Sequence, residues 1–174
     1  HSTGGSAIIE YLYQQQEQDF QRQPELSILL APLVRSTLWN LSRIGAVLTQ
    51  PLPVSNIWST PTSGTTNPYY LKMARIDPLR VQYSNLDWVR ALLRWDERNQ
   101  AYGKTDAKTA VIQGSSDRVL DWEYNMEYLQ ARFTNANWYL ISEAHHNLHH
   151  ETGENLELLL FIIDNEIKSI IKND

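Results

Sequence analysis

The chain has 174 residues, 42% of them hydrophobic, which is enough for one domain with a real core. A net charge of −5 and a pI near 5.5, with no basic stripe along the chain, give no electrostatic case for nucleic acid. The absence of cysteine removes a disulfide framework, a thiolate nucleophile and a cysteine-bound metal, and fits a reducing compartment; no apolar run is long enough for a membrane-spanning helix.

The chain opens with His1-Ser2-Thr3-Gly4-Gly5-Ser6. A serine among small residues at the mouth of a helix has the form of a nucleophile elbow, a sharp strand-to-helix turn that pushes one hydroxyl clear of the backbone. Ser2, Thr3 and Gly4 fill the last three places of G-x-S-x-G; a polar terminal stretch would carry the same letters. Residues 6–18 read as a helix, with Ala7, Ile8, Tyr11 and Leu12 on one side. Gln21–Glu25 is polar, contains Pro24 and reads as a loop. Leu26–Ala31, bounded by Pro24 and Pro32, reads as a strand buried on both faces.

A long middle section, Leu33 to Lys108, follows. Ser36–Thr49 is expected to be an amphipathic helix through Leu38, Leu41, Ile44, Ala46 and Leu48, and Gln50–Pro68 is loop-rich. Another helix is expected from Ser84-Asn85, capped by one of those side chains, through Leu86, Val89, Leu92 and Leu93 to about Glu97. With 6 Trp and 9 Tyr in the whole chain, this section holds too many large aromatics for a linker and too many turns for a sheet. It reads as a mostly helical insertion covering something, or as an ordinary helical subdomain whose aromatics form core.

Thr109–Gly114 is a second buried strand, ending in Gly-Ser-Ser-Asp with Asp117. A helix over 121–133, a strand over 137–141, a polar loop Ser142–Glu151 and a last helix over 153–172 complete the chain. Strand–loop–helix alternation implies α/β architecture with a parallel sheet and right-handed crossovers, in which functional groups collect beyond the C-terminal strand ends. Ser2, Asp117 and the histidine loop all stand at such positions.

The order Ser…Asp…His is that of α/β-hydrolases. The second half resembles the monoacylglycerol lipase and lysophospholipase branch, the serine aminopeptidase-like hydrolases. In that branch a strand ends in G-x-x-D-x-V-x-D, here Gly114 to Asp121, and the last strand leads into A-x-H-x-L-x-x-E, here Ala144 to Glu151. The resemblance spans nearly the whole chain. It implies an α/β-hydrolase fold in its C-terminal portion, divided into core at 1–33, a helical lid at 34–108 and core again at 109–174. It implies a serine hydrolase without cofactor, cleaving carboxylic esters of monoacyl lipids such as a monoacylglycerol or a lysophospholipid. Ser2 would be the nucleophile, His146 the base, Asp117 the acid that orients it, and the Thr3 N–H one oxyanion donor. Trp39, Trp58, Tyr69, Tyr70 and Trp88 would line the acyl site. Asp121 is a rival to Asp117 but suits a helix N-cap, and His145 is a rival to His146 but fits the loop pattern less well. A non-catalytic module that binds an apolar ligand or a protein through the lid is the alternative. The chain then looks like the C-terminal half of a hydrolase, whose N-terminal half would be its partner and would supply the second oxyanion donor.

His146-Asn147-Leu148-His149-His150 also has the form of a metal box. A single box without membrane spans points away from that chemistry, and no metal is expected.

Overall fold

The computed structural model describes residues 1–18, 24–49, 56–58, 64–81 and 83–171, with the side chains of residues 16–18, 57, 58 and 84 outside that description. In chain order the elements are α1 (Thr3–Gln18), β1 (Ser27–Leu30), α2 (Trp39–Leu48), β2 (Asn56–Trp58), α3 (Pro68–Ile76), β3 (Tyr83–Asn85), α4 (Leu86–Asn99), β4 (Thr109–Gly114), α5 (Trp122–Gln130), β5 (Ala136–Ile141) and α6 (Gly153–Ile171). A short 3-10 turn, Leu148–His150, precedes α6.

The apolar run Thr109–Gly114 becomes the central strand because it alone can be covered everywhere. All six residues of β4 are buried. It pairs in parallel with β1 on one side (Ser27 opposite Thr109) and with β5 on the other (Thr109 opposite Ala136). Side chains alternate across the sheet with period two. Leu29 and Val111 therefore join α1 and α5 residues Ile9, Leu12, Tyr13, Tyr128 and Leu129 in one core layer. Ile112 and Ile141 face the opposite layer with Leu148, Leu159 and Ile162 from the end of the chain. Each such aliphatic side chain contributes about 1.5–3 kcal/mol by leaving water.

The middle section is fastened to this core by Arg35. Its guanidinium forms a forked ion pair with Asp96 of α4, at 3.2 and 3.0 Å, and lies over the rings of Tyr124 and Trp39. Asn125 of α5 holds the same corner by bonding both the N–H and the carbonyl of Arg35.

Several elements differ from the sequence expectation. Helix α1 starts at Thr3, because the Ser2 carbonyl already accepts from the N–H of Gly5 and of Ser6. Helix α3 stands partly where loop was expected. Pro68 occupies its first turn, where a missing N–H is harmless, and the Asn67 side chain caps it by accepting from the Tyr69 N–H. The middle section also carries a two-stranded antiparallel sheet, β2 with β3. In α2 the expected apolar face is not the buried one. Of the five residues expected on that face only Ala46 is buried, on the side of Trp39, while Leu38, Leu41, Ile44 and Leu48 are exposed, as is Val47. Gln21–Gln23 of the expected Gln21–Glu25 loop, and most of Gln50–Pro68, lie outside the described residues.

Two glycines set the approach of the elements that meet at the sheet's C-terminal edge. A Cβ on Gly5 would lie 2.8 Å from the Pro32 Cβ, so only glycine lets α1 close against the end of β1. A Cβ on Gly114 would lie 2.3 Å from the Ala144 carbonyl oxygen, so the end of β4 touches the backbone that leads into the histidine loop.

Candidate functional site

Ser2 is held at the C-terminal end of β1. Its N–H donates toward the Leu30 and Ala31 carbonyls, and its own carbonyl accepts from Leu33. Its φ is +51°, the left-handed region that non-glycine residues occupy at some energetic cost. The hydrogen bonds on both sides hold it there. Helix α1 begins at the next residue, so the Thr3 N–H is among the first-turn donors without an intrahelical acceptor.

Asp117 lies three residues beyond the end of β4 and His146 five beyond the end of β5. Both are nearly enclosed, at 5% and 6% exposure. The His146 Nδ1 donates to the Asp117 Oδ2 at 2.8 Å, and this leaves Nε2 as the acceptor for the Ser2 hydroxyl at 3.0 Å. The three side chains thus form one hydrogen-bonded line. The Asp117 Oδ1 accepts from the N–H of Val119 and of Leu120. Burial pushes the Asp117 carboxyl up. The hydrogen bond and charge of His146 oppose this, and with the Leu120 N–H and the Gln113 amide they leave the carboxyl below its ordinary value. Asp117 is therefore an anion at neutral pH.

The two rivals have other partners. The Asp121 side chain caps α5 by accepting from the Tyr124 N–H. His145 turns to Glu151, whose Oε1 accepts from its backbone N–H at 2.8 Å and lies 3.1 Å from its Nδ1. That contact closes the loop around His146.

The remaining histidines form a run of rings rather than a ligand set. His1 packs on His146 and His149, with its Nε2 bonded to the His146 carbonyl oxygen. His149 meets His150, which stacks on Tyr70 with centroids 3.7 Å apart. Burial, the first cause for each, keeps both His149 and His150 below the ordinary imidazole value. Among the described residues no cluster of histidine and carboxylate side chains is placed to hold a metal ion, and no helix is long and apolar enough to cross a membrane.

The five aromatics expected at a substrate site are scattered. Tyr70 is tied to the histidine loop through His150, and Tyr69 lies edge-on to Tyr70 but is exposed. Trp88 sits on α4 at 47% exposure. Trp39 is buried beside Arg35, where it packs instead of opening to a ligand. Trp58 lies on β2 with its side chain outside the described residues. The sequence reading passed over Gln113, buried on β4, whose amide nitrogen lies 3.0 Å from the Asp117 Oδ2. The available signal was a long polar side chain inside an otherwise apolar run.

Comparison with known proteins bears on the family and the fold. The family model described as "Serine aminopeptidase, S33" matches residues 1–153. A soluble variant of monoglyceride lipase from Saccharomyces cerevisiae, solved with a substrate analogue, superposes with a TM-score of 0.79 at 17% identity, covering 98% of this chain and 60% of its own. The monoacylglycerol lipase of Paleococcus ferrophilus gives 0.77 at 16% identity, covering 97% of this chain and 66% of its own. A structure described with the metagenome-derived lipolytic enzymes LipS and LipT gives 0.68 at 14% identity, covering 98% of this chain and 62% of its own. The chain therefore spans about three-fifths to two-thirds of the length of these proteins, and the likeness establishes a partial α/β-hydrolase fold. No curated protein matches the sequence.

Proposed function

The chain belongs to the serine aminopeptidase S33 family of hydrolases, and from that premise we propose that it cleaves carboxylic esters of monoacyl lipids through an acyl-enzyme. The observation that carries this reading is the line from the Ser2 hydroxyl through His146 to Asp117, at 3.0 and 2.8 Å.

The steps follow from those contacts. A serine hydroxyl is a poor nucleophile near neutral pH unless a base takes its proton. The His146 Nε2 takes it as the Ser2 Oγ bonds to the ester carbonyl carbon. The negative charge that develops on the carbonyl oxygen is stabilised by the Thr3 N–H at the start of α1. Asp117, ionised and fixed by its backbone donors, stabilises the imidazolium and holds its tautomer. Collapse of the tetrahedral adduct expels the alcohol, which receives the proton from His146. Water then attacks the acyl-enzyme by the same route in reverse order and releases the fatty acid. The apolar and aromatic side chains of the middle section supply the acyl-binding surface.

The second oxyanion donor and a further neighbour for β1 come from an N-terminal half of the hydrolase. What supports this is the coverage of the neighbours and the fact that, among the described residues, β1 pairs with β4 alone. This chain by itself should accordingly turn over a short p-nitrophenyl ester far more slowly than a chain that includes that half. Equal rates would overturn the proposal.

The function is tested by labelling with a fluorophosphonate probe. Ser2 is expected to become modified and Ser2→Ala to abolish the labelling. Absence of reaction at Ser2 overturns the enzyme in favour of a second reading, a non-catalytic module binding through the exposed apolar side chains of α2.

A further inference from the structure

Strand β4 is an apolar run with one long polar side chain in it. Ala110, Val111 and Ile112 are fully buried, and so is Gln113. A glutamine in that position loses its water without taking part in the sheet's packing through an apolar group. What it does instead is donate twice. Its Nε2 donates to the Gly114 carbonyl oxygen at 3.1 Å and to the Asp117 Oδ2 at 3.0 Å. Both partners are pure acceptors, so the orientation of the amide is fixed: only the NH2 group can face them. The oxygen it meets on Asp117 is the same one that accepts from His146.

We propose that Gln113 is a positioning residue for the reaction, holding the Asp117 Oδ2 so that its remaining lone pair faces the His146 Nδ1. This inference rests on the roles proposed above for Asp117 and His146. The groups that meet the carboxylate are His146 from the histidine loop, Gln113 from β4, and the Val119 and Leu120 N–H groups from the loop that carries Asp117. With two backbone donors on Oδ1 and the amide on Oδ2, the carboxylate cannot rotate about its Cβ–Cγ bond. The amide also withdraws electron density from Oδ2 and so makes it a weaker base. Removing it frees the carboxylate and strengthens its hold on a proton, so Asp117 takes up its proton at a higher pH.

The test is Gln113→Met, which keeps the length of the side chain and removes the donor, made in the full chain. With aspartate labelled by 13C at the carboxyl and the Asp117 signal assigned through Asp117→Asn, the acid titration of Asp117 is followed by NMR. Its midpoint is expected to rise by about half a pH unit or more. The fluorophosphonate labelling rate near neutral pH is expected to fall roughly tenfold, with its acid limb moved toward higher pH. A purely structural role would lower stability and leave both the midpoint and the profile in place, and that result overturns the proposal. If the methionine variant does not fold, Gln113→Asn, which draws the amide back by one methylene, is read by the same titration with the same direction of shift; an unmoved midpoint again overturns it. Should the midpoint move while wild-type Ser2 fails to label, the amide's hold on Asp117 stands and the hydrolase reading falls.

Discussion

At the scale of single residues, the site depends on one carboxylate kept ionised inside the protein. Asp117 has its side chain fully enclosed, yet its carboxyl is held below the ordinary value, because donors on both oxygens outweigh the effect of burial. A group depressed in the folded state contributes stability above its unfolded value, about 3.9 for aspartate, and that contribution disappears as pH falls through the folded value. Asp117→Asn is therefore expected to lower the urea midpoint at pH 7, with the gap from wild type narrowing steadily below about pH 4; a gap that stays constant from neutral pH to pH 3 contradicts the assignment. The direction is the same for a buried histidine with a depressed value, whose contribution when neutral is lost on acidification through protonation of the ring. His149 and His150, both shifted down, add a smaller loss of that second kind nearer neutrality.

At the scale of elements, the functional geometry is set by how closely strand ends approach loops. The contact between Gly114 and the Ala144 carbonyl brings the end of β4 against the backbone that leads to His146. Gly114→Ala puts a methyl group into that backbone, so we expect a loss of stability of more than about 2 kcal/mol together with loss of Ser2 labelling. Gly45→Ala is the control. It lies inside α2 with open space at its Cβ, and is expected to stabilise the protein by about 0.5–1 kcal/mol with labelling unchanged. Equal effects of the two changes would remove close approach as the reason for Gly114. The same elements show what the sequence made legible. Asp117 and His146 could be read because each follows an apolar run ended by small or polar residues, and Ser2 because small residues and a helix follow it; the chain order of a parallel sheet puts such positions on one edge. Asp121 could be read as a cap because it directly precedes a helix. Helix α3 could not, since Pro68 reads as a breaker unless Asn67 is recognised as the cap before it. The exposed face of α2 could not, because periodicity reports an apolar stripe without saying which side meets the core. The role of Gln113 is invisible in one dimension: its partner oxygen is set by a loop turn and by a histidine brought in from the end of the chain.

At the scale of the whole molecule, the site is assembled from distant parts of the chain. Ser2 and His146 are 144 positions apart and Asp117 and His146 are 29 apart. Contacts of such separation form late, because a long loop must close before they return any favourable energy. When the denatured chain is refolded, fluorophosphonate reactivity at Ser2 is expected to return with the slowest phase, after the bulk of the helical circular dichroism signal. Reactivity that appears in step with the earliest helical signal would contradict this. The central place of β4 also has a consequence for biosynthesis. A ribosome must deliver everything through Gly114 before β1 finds its in-chain neighbour. Until then the nascent polypeptide carries an aliphatic ribbon, Ile28-Leu29-Leu30, with its β4-facing edge unpaired, into a crowded cell. The segment between the two strands therefore sets how long that ribbon waits, and shortening it should raise the soluble yield on expression.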